Sequence, residues 1–254
     1  MQHLFCTEGE RALEAVMRLK PILAFDFDGT LAPIVARPDE AHVPEAVSRG
    51  LAALAERLPV AVITGRSVAD VKPRLGFHPR YIVGNHGAED PTLGPPSQAS
   101  QALDSIRHRI EAHAEDFRRC GIVVEDKQYS LALHYRLSHD AGAALVCIEE
   151  LLQGTENAVK RFGGKCVVNV MAIGLPDKGD ALASLVRREG AGGAVFVGDD
   201  VNDEAVFMRA VPHWLTVKIG RDDPLSRAMF FLDSDSELAQ VLERLLALAP
   251  QPVP

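Results

Sequence analysis

Two carboxylates stand one residue apart in Phe25-Asp26-Phe27-Asp28-Gly29-Thr30-Leu31, at the end of the apolar run Ile22–Phe25. Such a run reads as a buried strand, and open α/β sheets bind ligands at the carboxyl ends of their strands. Acids there are costly unless something pairs them, so they mark chemistry; the plainer alternative is a polar turn capping the next helix. A second acidic cluster, Gly198-Asp199-Asp200-Val201-Asn202-Asp203-Glu204, follows the apolar run Ala194–Val197. Alone, it also fits a helix N-terminus, whose dipole favours acids. Brought together, the two clusters repel, and a bound Mg²⁺ resolves this because it takes oxygen ligands and shares its shell with phosphate. Thr64-Gly65-Arg66 follows the run Val60–Ile63 and supplies a hydroxyl and close backbone N–H groups for a phosphoryl oxygen. Lys178-Gly179 opens a helix and supplies a compact cation able to neutralise an aspartyl-phosphate. Each of these last two patterns is common by itself.

The elements that must position these groups alternate. Ile22–Phe25, Val60–Ile63, Tyr81–Val83 and Ala194–Val197 read as buried parallel strands. Pro44–Arg57, Asp180–Arg188, Asn202–Arg209 and Ser236–Leu248 read as helices between or after them. The fold class is therefore α/β, a doubly wound parallel sheet. The alternation breaks after Glu89, where Asp90–Ser100 is rich in Pro, Gly and Ser and reads as a hinge or linker. An amphipathic helix through Leu103, Ile106, Ile110 and Phe117 follows, then strands at Ile122–Val124 and Ser130–Tyr135, a helix at Ala141–Leu152 and a strand at Lys165–Ile173. This is an α+β insert at 92–174, with the sheet domain formed by 1–91 and 175–254.

The 254 residues, 47% hydrophobic and 24% charged, are ordinary for a globular protein. A net charge of −8 argues against nucleic-acid binding, which rests on clustered Lys and Arg. No stretch is long enough for a membrane span, and the N-terminus lacks a signal-peptide pattern, so the expected location is the cytoplasm. Cys6, Cys120, Cys147 and Cys166 form no C-x-x-C pair and read as reduced, buried thiols, with Cys147 packing on the insert's helix. Trp214 and Phe230–Phe231 lie in apolar, strand-like segments and read as core. His3, His42, His78, His108, His113, His139 and His213 show no metal-ligand spacing, and the Gln251–Pro254 tail reads as frayed. Oligomeric state is not legible in the sequence.

In order, D-F-D-G-T-L, T-G-R, K-G and G-D-D-x-x-D resemble the four motifs of the haloacid dehalogenase superfamily phosphatases. The resemblance spans almost the whole chain and implies a Rossmann-like core with a cap. Asp28 to Thr64 spans 36 positions and Thr64 to Lys178 spans 114, so the cap falls between the second and third motifs, the C2 arrangement. Asp26–Val35, the Gly84–Glu89 run G-N-H-G-A-E and the Val124–Arg136 segment, similar to E-x-K-x-x-S-x-x-x-H-Y-R, narrow the resemblance to the trehalose-6-phosphate phosphatase family. One departure stands in Gly164–Ala172, where Asn169 occupies the position of a family Glu implicated in gripping the sugar; Asn can donate and accept but carries no charge.

The resemblance implies Asp26 as nucleophile and Asp28 as general acid and base. Thr64 and Lys178 would hold the transferring group. Mg²⁺ would sit on Asp26, the carbonyl of Asp28 and Asp199, with Asp200 and Asp203 supporting them. A small-molecule sugar phosphate is the implied substrate. Its contacts would come from Arg66, Asn85, His86 and Glu89 in the core and from Glu125, Lys127, His134, Arg136 and Asn169 in the cap. Sucrose, glucosylglycerol and mannosylglycerate phosphates are rival substrates, a phosphomutase is a less favoured enzyme, and a non-catalytic sugar-phosphate sensor is the rival outside enzymes.

Overall fold

The computed structural model describes residues 1–94, 99–164, 166–221 and 223–251, with no side-chain detail for residues 99–102. Pro95–Gln98 of the Pro-rich linker, Lys165 and residues 252–254 of the tail lie outside the described residues. The chain divides into two compact units, Met1–Pro91 with Pro176–Pro254, and Thr92–Leu175.

In chain order, the elements are β1 (Gln2–His3), α1 (Thr7–Met17), β2 (Ile22–Phe25), α2 (Glu45–Ala55), β3 (Val60–Ile63), α3 (Val68–Val71), β4 (Tyr81–Val83), α4 (Ala99–Ala112), α5 (Ala114–Arg119) and β5 (Val123–Asp126). They continue with β6 (Ser130–His134), α6 (Ala141–Leu152), β7 (Val159–Gly164), β8 (Val167–Ala172), α7 (Lys178–Glu189), β9 (Ala194–Gly198), α8 (Glu204–Phe207), β10 (Trp214–Ile219), β11 (Phe230–Leu232) and α9 (Leu238–Leu248).

The first unit is a parallel sheet ordered β1-β11-β10-β9-β2-β3-β4. Its strands are apolar on both faces because helices cover both. Leu23, Phe25, Val60, Val62, Val195 and Val197 pack with side chains of α1, α2 and α9. The alternate residues Ile22, Ala24, Ala61, Ile63, Ala194 and Phe196 pack with α7 and α8. That two-sided burial is why the strands read as unbroken hydrophobic runs. The strand order reverses at β2, which lies between β9 and β3, and this switch point is where an open α/β sheet forms its ligand crevice.

The second unit is an antiparallel sheet ordered β5-β6-β8-β7, with Leu131, Leu133 and Val170 packed against α4, α5 and α6 through Leu103, Ile106, Phe117, Ile148 and Leu152. The sequence reads one helix through Leu103–Phe117. The structure breaks it at His113, which leaves the helical region (φ −107°, ψ 17°). Strand β7 is absent from the sequence reading because VKRFGG mixes charges with two glycines and shows no apolar pattern. The helix read at Asn202–Arg209 begins as a 3₁₀ turn, and only Glu204–Phe207 is α-helical.

The cysteines correct their sequence reading. Cys6, Cys120 and Cys147 are half-buried and Cys166 is exposed, all as free thiols. Cys6 caps α1, its Sγ accepting from the Gly9 N–H, and Cys166 sits in the β7–β8 turn with φ 61°. Cys6 also packs against the core of the first unit, and Cys120 and Cys147 pack against that of the second, as the reading of Cys147 has it. No described helix is long and apolar enough to cross a membrane.

Candidate active site

The register of β2 and β9 pairs Phe25 with Val197, so both acidic clusters leave the sheet side by side at the switch point. The Asp26 N–H donates to the Val197 carbonyl (2.9 Å) and fixes the first residue beyond the strand. Gly29 has φ 80°, and a Cβ there would stand 2.1 Å from the Asp199 carboxylate. Only glycine lets the two loops approach this closely. Thr30 Oγ1 donates to Asp199 (3.4 Å) across the same gap. The outcome is one group of carboxylates, Asp26, Asp199 and Asp203, whose oxygens lie within 4.8 Å of one another.

Lys178 enters this group from the first turn of α7. Its Nζ donates to Asp203 (2.7 Å) and lies 2.9 Å from Asp26, with all three side chains buried. A capping box between Asp177 and Asp180 fixes the start of α7 and with it the direction of Lys178. Burial opposes the charge on Lys178, but Asp203 and Asp26 outweigh it and hold the ammonium pKa above its ordinary value. Burial pushes the Asp26 carboxyl well above the usual carboxylate range; Lys178 pulls it down, and Asp203 and Asp199 push it up. One ammonium facing three carboxylates leaves an excess of negative charge.

Strand β3 lies on the other side of β2, and Thr64 follows it, fully buried. Thr64 Oγ1 accepts from the Arg66 N–H (3.1 Å). The Arg66 guanidinium grips Asp28 with two bonds, Nε to Oδ2 (2.8 Å) and Nη2 to Oδ1 (2.7 Å). The Asp28 carboxylate is therefore held by Arg66. The sequence reading places Arg66 against substrate, whereas the structure spends most of its donors within the protein.

Asn85 and His86, also read as sugar contacts, are buried. The Asn85 side chain donates to Glu89 (2.7 Å), and the backbone N–H groups of Asn85 and His86 donate to the Arg66 and Thr64 carbonyls. Glu89 also accepts from the Val68 N–H (2.9 Å). Asn85 and His86 hold φ values of 49° and 57°, a strained pair that this bonding maintains. The geometry gives them the work of shaping the Thr64–Arg66 loop.

In the second unit, the register runs Glu125↔Ala132↔Asn169 across β5, β6 and β8. With period-two alternation, Glu125, Lys127, His134 and Asn169 share the sheet face opposite the one that packs on the helices. Glu125 lies 3.1 Å from His134 Nε2 and 3.5 Å from Lys127 Nζ. The His134 hydrogen bond is the main cause that lowers the Glu125 pKa. Arg136 falls in the turn after β6.

The sequence profile of the Trehalose-phosphatase family matches residues 24–223. The chain belongs to the trehalose-phosphatase family. It is 33% identical over 246 residues to a trehalose-phosphate phosphatase of Mycobacterium avium (strain 104), covering 89% of this chain. It is 30% identical over 248 residues to that of Mycobacterium tuberculosis (strain ATCC 25618 / H37Rv), covering 91% of this chain. The chain spans only 62% and 63% of the lengths of those two relatives. The fold is shared with the C-terminal domain of a C. albicans trehalose-6-phosphate phosphatase (TM-score 0.78, 20% identity, 94% of this chain and 96% of that one). It is also shared with a trehalose-6-phosphate phosphatase related protein (TM-score 0.73, 24% identity, 89% and 97%).

The group of carboxylates at Asp26, Asp199 and Asp203 can hold a divalent cation. Three hard-oxygen donors converge, two are buried, and a cation would offset both the burial that chiefly raises the Asp26 pKa and the push from Asp203 and Asp199. Asp203, read as support, has its carboxylate inside this group. Asp200, also read as support, caps the loop with its side chain, accepting from the Val201 N–H (2.8 Å) and Asn202 (2.9 Å).

Two positions escaped the sequence reading. Lys218 on β10 is buried and donates to the Asp199 carbonyl (2.8 Å), tying β10 to the acidic loop. A single Lys inside the apolar run Trp214–Ile219 was its signal. His3 lies within 4.8 Å of Asp233 and Glu237, because β1 pairs with β11 in parallel. His3 shows no metal-ligand spacing along the chain because these neighbours are some 230 positions away in sequence. Asp233 there is already paired with Arg221, so the group is a surface ion-pair cluster.

Proposed function

We propose that this chain hydrolyses trehalose 6-phosphate to trehalose and phosphate through a phospho-aspartate at Asp26. The observation that carries the reading is buried Asp26, paired with Lys178 and grouped with Asp199 and Asp203 at the switch point, in a chain of the trehalose-phosphatase family. Residues 1–91 and 175–254 act as the catalytic core and 92–174 as its cap.

Asp26 attacks phosphorus with one carboxylate oxygen, and the bond from phosphorus to the sugar oxygen breaks. A sugar alkoxide is a poor leaving group, so Asp28 gives it a proton. Asp28 then takes a proton from water, which attacks the phosphoryl group and restores the Asp26 carboxylate. Lys178 and the Thr64 hydroxyl hold the transferring oxygens. Mg²⁺, held by Asp26, the Asp28 carbonyl and Asp199, would supply the charge that the phosphoryl oxygens need. The sugar is read by the shared face of Glu125, Lys127, His134 and Asn169, with Arg136 beside it.

A second reading rests on Asn169. A family Glu is replaced by a neutral amide on that face, which favours a different glycosyl phosphate with the same chemistry. Phosphate release from trehalose 6-phosphate and from sucrose, glucosylglycerol and mannosylglycerate phosphates, with and without Mg²⁺, separates the two. Turnover confined to trehalose 6-phosphate supports the first reading, and preference for another ester supports the second. Folded protein that releases phosphate from none of them sinks both.

Metal binding has its own test. Millimolar Mg²⁺ is expected to raise the thermal midpoint by about 5 °C over chelator-treated protein, from a site filled well above its dissociation constant. Asp199→Asn should abolish that rise. A rise that survives the substitution would place the ion elsewhere.

A further inference from the structure

We infer that Arg66 is the positioning residue of Asp28, and that Asp70 and Arg74 hold Arg66 in place. The inference rests on the reading of Asp28 as proton donor and acceptor.

A guanidinium carries five N–H donors. Arg66 commits Nε to Asp28 Oδ2 (2.8 Å), Nη2 to both Asp28 Oδ1 (2.7 Å) and the Pro38 carbonyl (2.9 Å), and Nη1 to Asp70 (2.8 Å). One N–H of Nη1 is left, too few for the two-pronged grip that makes Arg a phosphate ligand. The plane is fixed as well, since Cζ lies 5.1 Å from the centre of the Phe27 ring. Behind it, Asp70 takes Arg66 on one oxygen and Arg74 Nη2 on the other (2.7 Å), and Arg74 reaches the Asp39 carbonyl (2.5 Å). The chain Arg74–Asp70–Arg66–Asp28 alternates in charge from end to end. Burial opposes ionisation of Asp70, but the bonds from Arg74 and Arg66 hold its carboxyl below the usual range.

Asp28 shows why this matters. Its side chain is 44% exposed, and Arg66, 10% exposed, is the residue that hydrogen-bonds its carboxylate among the described residues. An exposed Asp without that fork would spread over its staggered rotamers. Proton transfer uses one carboxylate oxygen, and the other can keep its bond to Arg66 meanwhile. Geometry of this kind is worth much in rate, because small displacements of a catalytic group are costly.

The test combines steady-state kinetics with crystal structures of Arg66→Met and Asp70→Asn. For Arg66→Met, kcat is expected to fall about 100-fold, with KM and inhibition by inorganic phosphate held within about twofold. Arg66→Lys should not rescue it, because a point cation lacks the fork. Asp70→Asn should lower kcat in the same way by roughly tenfold. In both structures the Asp28 carboxylate should leave its position or divide among rotamers. A rise in KM and in the phosphate inhibition constant at constant kcat would make Arg66 a phosphate ligand and overturn the inference. So would an Asp28 that stays put in both structures. If wild-type protein cleaves no phosphate ester, the functional reading fails, and the position of Asp28 still decides this one. If Arg66→Met does not fold, Asp70→Asn at a half-exposed position carries both readouts.

Discussion

Asp26→Asn should lower phosphate release by on the order of 10⁵-fold, since loss of a covalent nucleophile leaves only binding and residual electrostatics. The substitution is isosteric and removes one of three crowded carboxylates. Lys178 keeps its 2.7 Å bond to Asp203, so no buried charge is orphaned. Thermal stability of the metal-free protein should therefore hold or rise, which separates lost chemistry from lost fold. Acid-quenched wild-type protein should carry covalent phosphate after mixing with substrate, and the variant should carry none. Asp26→Ala serves as a control, because Asn can deamidate back to Asp. Turnover of either variant above about one percent of wild type would move the nucleophile elsewhere.

Lys178→Met should damage both rate and fold. Lys178 is the only cation within bonding reach of Asp26 and Asp203 among the described residues. Its loss leaves two buried carboxylates without a counter-charge, a change that costs about 3–5 kcal/mol for buried pairs. Turnover should fall about 10³-fold, as when a preorganised group facing the transition-state charge is removed. Urea titration of chelator-treated protein measures the first effect. Adding Asp203→Asn to the variant should recover part of the stability without recovering the rate. If the single variant unfolds at the wild-type urea concentration, the buried network contributes nothing net to stability.

Arg66 and Lys218 show where the two sources of information part. The sequence alone determined the sheet class, the β2, β3 and β9 strand ends, and Asp26, Asp28, Thr64, Lys178 and Asp199 upon or beside them. Their signals are strong because a charged or hydroxylic side chain at the end of an apolar run is costly and needs a reason. It also determined that His134 and Asn169 lie on strands, since alternation fixes which face each takes once the register is known. The tertiary structure decided who partners whom. Asp203 joins the carboxylate group, Arg66 turns to Asp28 and Asp70, Asn85 turns to Glu89, and Lys218 ties down Asp199. Arg66 lies 38 positions from Asp28, Lys218 lies 19 from Asp199, and Lys178 lies 25 from Asp203. Local pattern reports burial and period, but a hydrogen-bond partner is chosen by how strands are ordered in the sheet. That order is set by packing of the whole core, and no short stretch of the chain carries it.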